Sequence, residues 1–154
     1  MPQPWIRSLV AAGLVIGSAV LAGCSSRSGK VPVTGSVLVD GAPGSLTVLT
    51  FWPEDPNAPA GTGGRVMADE KGQFVIGEKE KDTGLMPGNY KVTFSRFVDR
   101  NGKAVHGGGK KNEADSEVPS KESIPEKYRD RASTPASAQV SSSSTEFRFE
   151  IATK

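Results

Sequence analysis

Cysteine and histidine are nearly missing: the 154 residues hold one of each. A disulfide framework needs paired cysteines and a zinc cage needs several Cys or His ligands, so both are excluded, as is a Cys-His nucleophile pair once Cys24 is committed elsewhere. Charge of one sign is missing too. There are 19 basic and 17 acidic side chains, and Arg7 is the only charge before Cys24, so the chain beyond it carries 18 against 17. Neutralising phosphates takes a clustered excess of Lys and Arg, and no nucleic-acid partner is therefore expected. A hydrophobic fraction of 36% beside 18 Gly and 11 Pro is lean for a helical bundle and suits a small, turn-rich β domain. No Gly-x-Ser-x-Gly elbow and no phosphate-cradling Gly-rich loop with its Lys-Ser or Lys-Thr occurs, and His106 is the one imidazole base available. A pair of carboxylates for glycoside hydrolysis leaves no mark in a sequence, and no pair stands out. The expectation is a chain without catalytic residues, not an enzyme.

What is present begins with a leader. Met1 to Arg7 is a short segment with one positive charge, and Ser8 to Ala22 is uncharged and apolar, yet shorter than the about 20 residues that span a bilayer. It ends in Leu21-Ala22-Gly23-Cys24. This order resembles the bacterial lipobox. The resemblance implies cleavage between Gly23 and Cys24, a diacylglycerol on the Cys24 sulfur and an acyl group on its new amino terminus; no other cofactor is expected. An ordinary signal peptide or an uncleaved N-terminal anchor is the alternative. One myristoyl chain gives only about 10⁴ M⁻¹ of membrane affinity, whereas two or more hold a protein durably, so the membrane is the first partner expected. Ser25, rather than Asp, follows the cysteine, which by resemblance to lipoprotein sorting favours the outer membrane in a cell that has one. Ser25 to Lys30 has nothing to bury and reads as a tether. The division expected is thus 1–23 leader, 24–30 lipidated tether and 31–154 domain, held outside the cytoplasm.

From Val31 the apolar period is two. Val31, Val33, Val37 and Val39 share a parity with Gly35, as on a strand with one face on a core. After the turn residues Asp40-Gly41 and Pro43-Gly44, Leu46 to Trp52 alternates, with Thr47, Leu49 and Phe51 on one side and Val48, Thr50 and Trp52 on the other. Arg65 to Ala68 and Gln73 to Gly77 flank the turn Asp69-Glu70-Lys71-Gly72 and read as a hairpin. Tyr90, Val92 and Phe94 mark a further strand. In Glu146 to Ile151 apolar and charged residues alternate without error, so Phe147, Phe149 and Ile151 are expected inside. No sustained helical period follows Cys24. The fold class expected is an all-β sandwich closing on one core.

Val33-x-Gly35-x-Val37, Asp40-Gly41-x-Pro43, Leu49-x-Phe51-x-Pro53, Asp69-x-x-Gly72-x-Phe74 and Gly84-Leu85-x-Pro87-Gly88-x-Tyr90-x-Val92 follow in that order. The set resembles carboxypeptidase-regulatory-like domains. Ile124-Pro125-x-Lys127-Tyr128, Thr134-Pro135, Val140 and Phe147-x-Phe149 extend the likeness to small bacterial lipoproteins built on such a domain. The resemblance implies a transthyretin-like Greek-key sandwich of about seven strands and a non-catalytic role in structure or binding at the cell envelope. The departures are a polar insertion over Asp99 to Ser123, expected as loop, and Ser141 to Ser144 in place of a sharper turn.

Candidate sites are few. His106 has only Asp99, Glu113 and Asp115 as ligating company and no acidic stretch has EF-hand spacing, so no metal is expected. Gly84 to Tyr90 reads as a tight turn leading into a strand whose tyrosine hydroxyl bonds nearby backbone. Ile124 to Arg131 permits a short helical turn with Pro125 at its first position, pinned by Ile124 and Tyr128 four apart. Binding, where it occurs, falls on Lys127, Tyr128 and Arg129 of that turn or on Trp52, whose outward parity suits stacking on a ligand. The partner then expected is an envelope protein or a polysaccharide, the latter making the chain a carbohydrate- or solute-binding lipoprotein.

Overall fold

The computed structural model describes residues 28–106 and 120–154. The leader, Gly23, Cys24 and most of the tether lie outside the described residues, as does 107–119 of the insertion. Along the chain the strands are β1 (Val33–Val39), β2 (Ala42–Pro43), β3 (Val48–Pro53), β4 (Gly64–Met67), β5 (Gln73–Ile76), β6 (Gly88–Ser95), β7 (Phe97–Val98), β8 (Ala104–Val105), β9 (Lys121–Glu122), β10 (Ser137–Val140) and β11 (Glu146–Ile151). The chain is a β-sandwich. In one sheet β1 is central, with β11 parallel on one side and β5 and then β2 antiparallel on the other. The second sheet runs β10-β6-β3-β4, all antiparallel.

Alternation builds the core as expected. Val33, Val37 and Val39 of β1, Leu49 and Phe51 of β3, Tyr90, Val92 and Phe94 of β6, and Phe149 and Ile151 of β11 are all buried between the sheets. Aromatic rings tie the layers together: Phe51 meets Phe74 and Phe149, each with 6.1 Å between centroids, and Phe94 meets Phe149 edge-on at 5.4 Å. Gly35 breaks the valine row of β1 for a steric reason. A Cβ there would lie 2.0 Å from the Phe147 carbonyl oxygen and 2.7 Å from the Phe74 ring, so that ring occupies the space a side chain would need.

Five expectations need correction. The hairpin over Arg65 to Gly77 is instead a corner: β4 pairs with β3 and β5 with β1, so the chain changes sheets at Asp69 to Gly72. Each short arm finds a longer strand than its neighbour offers. Asp69 holds the corner, its Oδ1 accepting from the Lys71 and Gln73 amides at 2.8 Å each. Leu46 is outside the strand, which begins at Val48, because its φ is +56°. The insertion is not all loop, since β7 pairs with both β8 and β9 to form a small third sheet. Pro125 stands before, not within, the helical turn α1 (Glu126–Arg129). The serine run makes a tight turn after all, with Ser141 and Ser144 exchanging two backbone hydrogen bonds of 3.1 and 3.2 Å.

The segment around α1 covers the half of β6 that β10 leaves bare. β10 pairs only with Gly88 to Lys91. Beyond it, Thr134 Oγ1 donates to the Val92 carbonyl at 2.7 Å, and the Val92 amide donates to the Ala136 carbonyl. Glu122 then takes three hydrogen bonds on its carboxylate, from the Arg96 and Ile124 amides and the Ser95 hydroxyl, at 2.6 to 3.0 Å.

Two outcomes are expected. Gly35→Ala should lower stability by at least about 3 kcal/mol, since overpacking against backbone has no rotamer to relieve it, read as a fall in urea midpoint. Tyr90, buried with its hydroxyl on the Met86 carbonyl at 2.7 Å, has its pKa raised by burial. The unfolded phenol ionises near 10 while the folded one holds its proton, so this contribution is complete below about pH 10 and is lost as pH rises through the folded value. Urea midpoints between pH 9 and 11.5 should fall less steeply in Tyr90→Phe.

Candidate functional site

Because Leu49 and Phe51 face the core, β3 must turn Val48, Thr50 and Trp52 to the outside. Trp52 is 39% exposed on the outer face of the second sheet. Its neighbours follow from register: Lys91 stands opposite Trp52 on β6, while Thr50 has Thr93 on one side and Arg65 on the other. The indole is fixed. Trp52 Nε1 donates to Thr93 Oγ1 at 2.9 Å, and Thr93 is buried. Arg131 arrives from the segment after α1, donates from Nη2 to the Pro53 carbonyl at 2.6 Å and places its guanidinium carbon 5.9 Å from the indole centre, within cation–π reach.

A shallow depression of about 460 Å³ lies here, with Thr50, Trp52, Pro59, Gly63, Arg65 and Arg131 in its lining. Its wall is the loop between β3 and β4. Asp55 Oδ1 accepts from the Asn57 amide at 2.8 Å, and the Thr62 hydroxyl donates to the Pro59 carbonyl at 2.6 Å. Tyr90 ties that loop to the sheet through a 3.2 Å bond to the Thr62 carbonyl. Gly63 is needed where the loop meets β3, since a Cβ would lie 2.4 Å from the Phe51 carbonyl oxygen. Lys91 pairs with Glu54 at 3.8 Å; both are exposed enough that this pair adds little to stability.

The residues expected to bind are not gathered together. Tyr128 is half-buried, its ring edge-on to Phe94 at 6.5 Å, and Ile124 is buried beside the core. Lys127 lies over the Tyr128 ring at 4.9 Å, and Arg129 is exposed. Packing accounts for Tyr128. The residue of this segment that reaches Trp52 is Arg131, which the sequence did not single out because the contact spans a separation no local pattern encodes. His106 is exposed, and no group of three or more His, Cys, Asp or Glu side chains gathers among the described residues. Gly23 and Cys24 lie outside them.

No family model and no curated protein matches the chain. Among solved structures it is similar to the major pilin subunit of Bacillus cereus, at 8% identity and a TM-score of 0.42, over 80% of this chain. It spans 29% of that subunit's length. It is also similar to a candidate carbohydrate-binding protein from Pseudomonas aeruginosa, at 11% identity and a TM-score of 0.38, over 84% of this chain and 92% of the other. At such scores neither likeness bears on what this chain does.

Thr93→Val removes the acceptor that fixes the indole while keeping its shape. In a Trp5→Phe background, where Trp52 is the one tryptophan left, acrylamide quenching of its emission should rise, with a stability loss of about 0.5 to 1.5 kcal/mol.

Proposed function

We propose that the chain is a lipid-anchored, extracytoplasmic β-sandwich that acts without catalysis as a binding module at the cell envelope, with the Trp52 face taking a carbohydrate or similar solute. The observation that carries this reading is the fixed, exposed indole of Trp52 in a depression bordered by Thr50 and Arg131. A sugar ring has an apolar face of C–H groups and a polar rim; an indole held in place suits the first, and hydroxyl and guanidinium donors suit the second. Fixing Trp52 before the ligand arrives lowers the ordering cost of binding. Carriage on a membrane is supported by the leader and the Leu21-Ala22-Gly23-Cys24 sequence.

Anchor and face are tested separately. Cells fed radiolabelled palmitate should label the parent chain and leave Cys24→Ser unlabelled, with the variant no longer sedimenting with membranes; equal label in both would refute the anchor.

A further inference from the structure

We infer that the Trp52 depression selects a glycan chain carrying carboxylates, a polyuronate, over neutral sugars. This rests on the reading of the Trp52 face as a sugar-binding surface and adds to it the charge of the ligand.

The charge of the lining is one-sided. Its two ionisable side chains are Arg65 and Arg131, and no carboxylate borders the depression. The arginines come from opposite sides of β3: Arg65 sits on β4, while Arg131 follows α1, which packs on β6. Arg131 spends one of its five N–H donors on the Pro53 carbonyl and keeps the others. Arg65 is exposed and enters no ion pair among the described residues. A guanidinium presents parallel donors that match the two oxygens of a carboxylate, and this match is geometric as well as electrostatic.

Two separated forks suit a ligand with spaced single charges, and an indole between them suits the sugar faces that space those charges. A polyuronate has both. A lipid surface fits less well, because Trp52 is tied down to Thr93 at the edge of a concavity and does not project as an inserting residue would. A neutral glycan would use the guanidinium groups as hydrogen-bond donors only and leave their charge unmatched.

The test is calorimetric titration of the full chain in neutral detergent with oligogalacturonate and oligomannuronate. Each is compared with its methyl ester, which keeps the sugar and removes the charge, and phosphatidylglycerol vesicles form a further arm. At least one free acid should bind about tenfold or more tightly than its ester, and the preference should shrink as salt rises. Arg131→Gln and Arg65→Gln should each weaken the acid about five- to tenfold and the ester by no more than about twofold, with Arg131→Lys falling between. Thermal midpoints of these surface variants serve as the check on folding. Esters binding as tightly as acids, in a manner lost in Trp52→Ala, would overturn the inference and keep the sugar-binding face. No binding of either form, or binding indifferent to Trp52→Ala, would overturn both. Vesicle binding that needs the two arginines, without glycan binding, would replace the glycan with the membrane.

Discussion

The space left by the missing side chain of Gly35 is the constraint from which the rest follows. Phe74 fills it, and in doing so comes to rest in a stack with Phe149, their centroids 6.2 Å apart and their planes 21° from parallel. Phe51 of the facing sheet packs against both rings. One glycine on the central strand thus lets two neighbouring strands bring their phenylalanines to a common point and lets the second sheet close on them. Close-packed interiors transmit such constraints because they hold few voids to absorb a misfit. The functional consequence is direct: with Phe51 committed inward, strict alternation commits Trp52 outward.

Alternation is also what made much of this legible in the sequence. Valine parity in β1, the Leu49 and Phe51 pair, the Tyr90, Val92 and Phe94 row and the alternating Glu146 to Ile151 strand all record which face is dry, and that is a local property. Pairing is not local. Arg65 to Ala68 and Gln73 to Gly77 have the composition and turn of a hairpin, but whether two strands bond to each other or to longer neighbours depends on residues far along the chain. Leu46 was hidden for another reason: a bulky residue at positive φ contradicts its own propensity and is held there by its surroundings. Within the insertion, two-residue strands are too short to show a period. Trp52 was readable as an outward residue, whereas Arg131 was not, since its importance comes from a contact with the indole that is distant in sequence.

That contact is the product of a segment whose first task is structural. An unpaired length of β6 would present open amides and carbonyls to any passing strand. The chain from Glu122 to Ala136 covers it with hydrogen bonds rather than with a full strand, including the Glu122 carboxylate and the Thr134 hydroxyl. The turn that carries Arg131 is braced on both sides. Asp130 Oδ1 accepts from the Ala132 amide at 2.6 Å, and the Asp130 carbonyl accepts from the Thr134 amide at 2.9 Å. Edge protection and the placement of Arg131 are therefore one arrangement, and Arg131 reaches the indole from backbone that has little freedom to move.

Topology places the candidate face at a particular end of the sandwich. β1 begins where Val31 exchanges hydrogen bonds with Leu85, just before β6 starts at Gly88, and β6 runs antiparallel to β3, whose last residues are Trp52 and Pro53. The Trp52 depression is consequently at the end where the chain enters the fold, opposite the end where Thr153 bonds Asp40. Ser28 already bonds the Asp82 carbonyl through its hydroxyl, so under the proposed anchoring at Cys24 the three residues between lipid and fold would reach about 10 Å when extended, at ~3.5 Å each. A folded partner approaching that end from the membrane side would have to fit beneath the domain. A single polymer chain is thin enough to lie along a membrane without that conflict, so the proposed anchoring and the proposed glycan ligand are geometrically compatible.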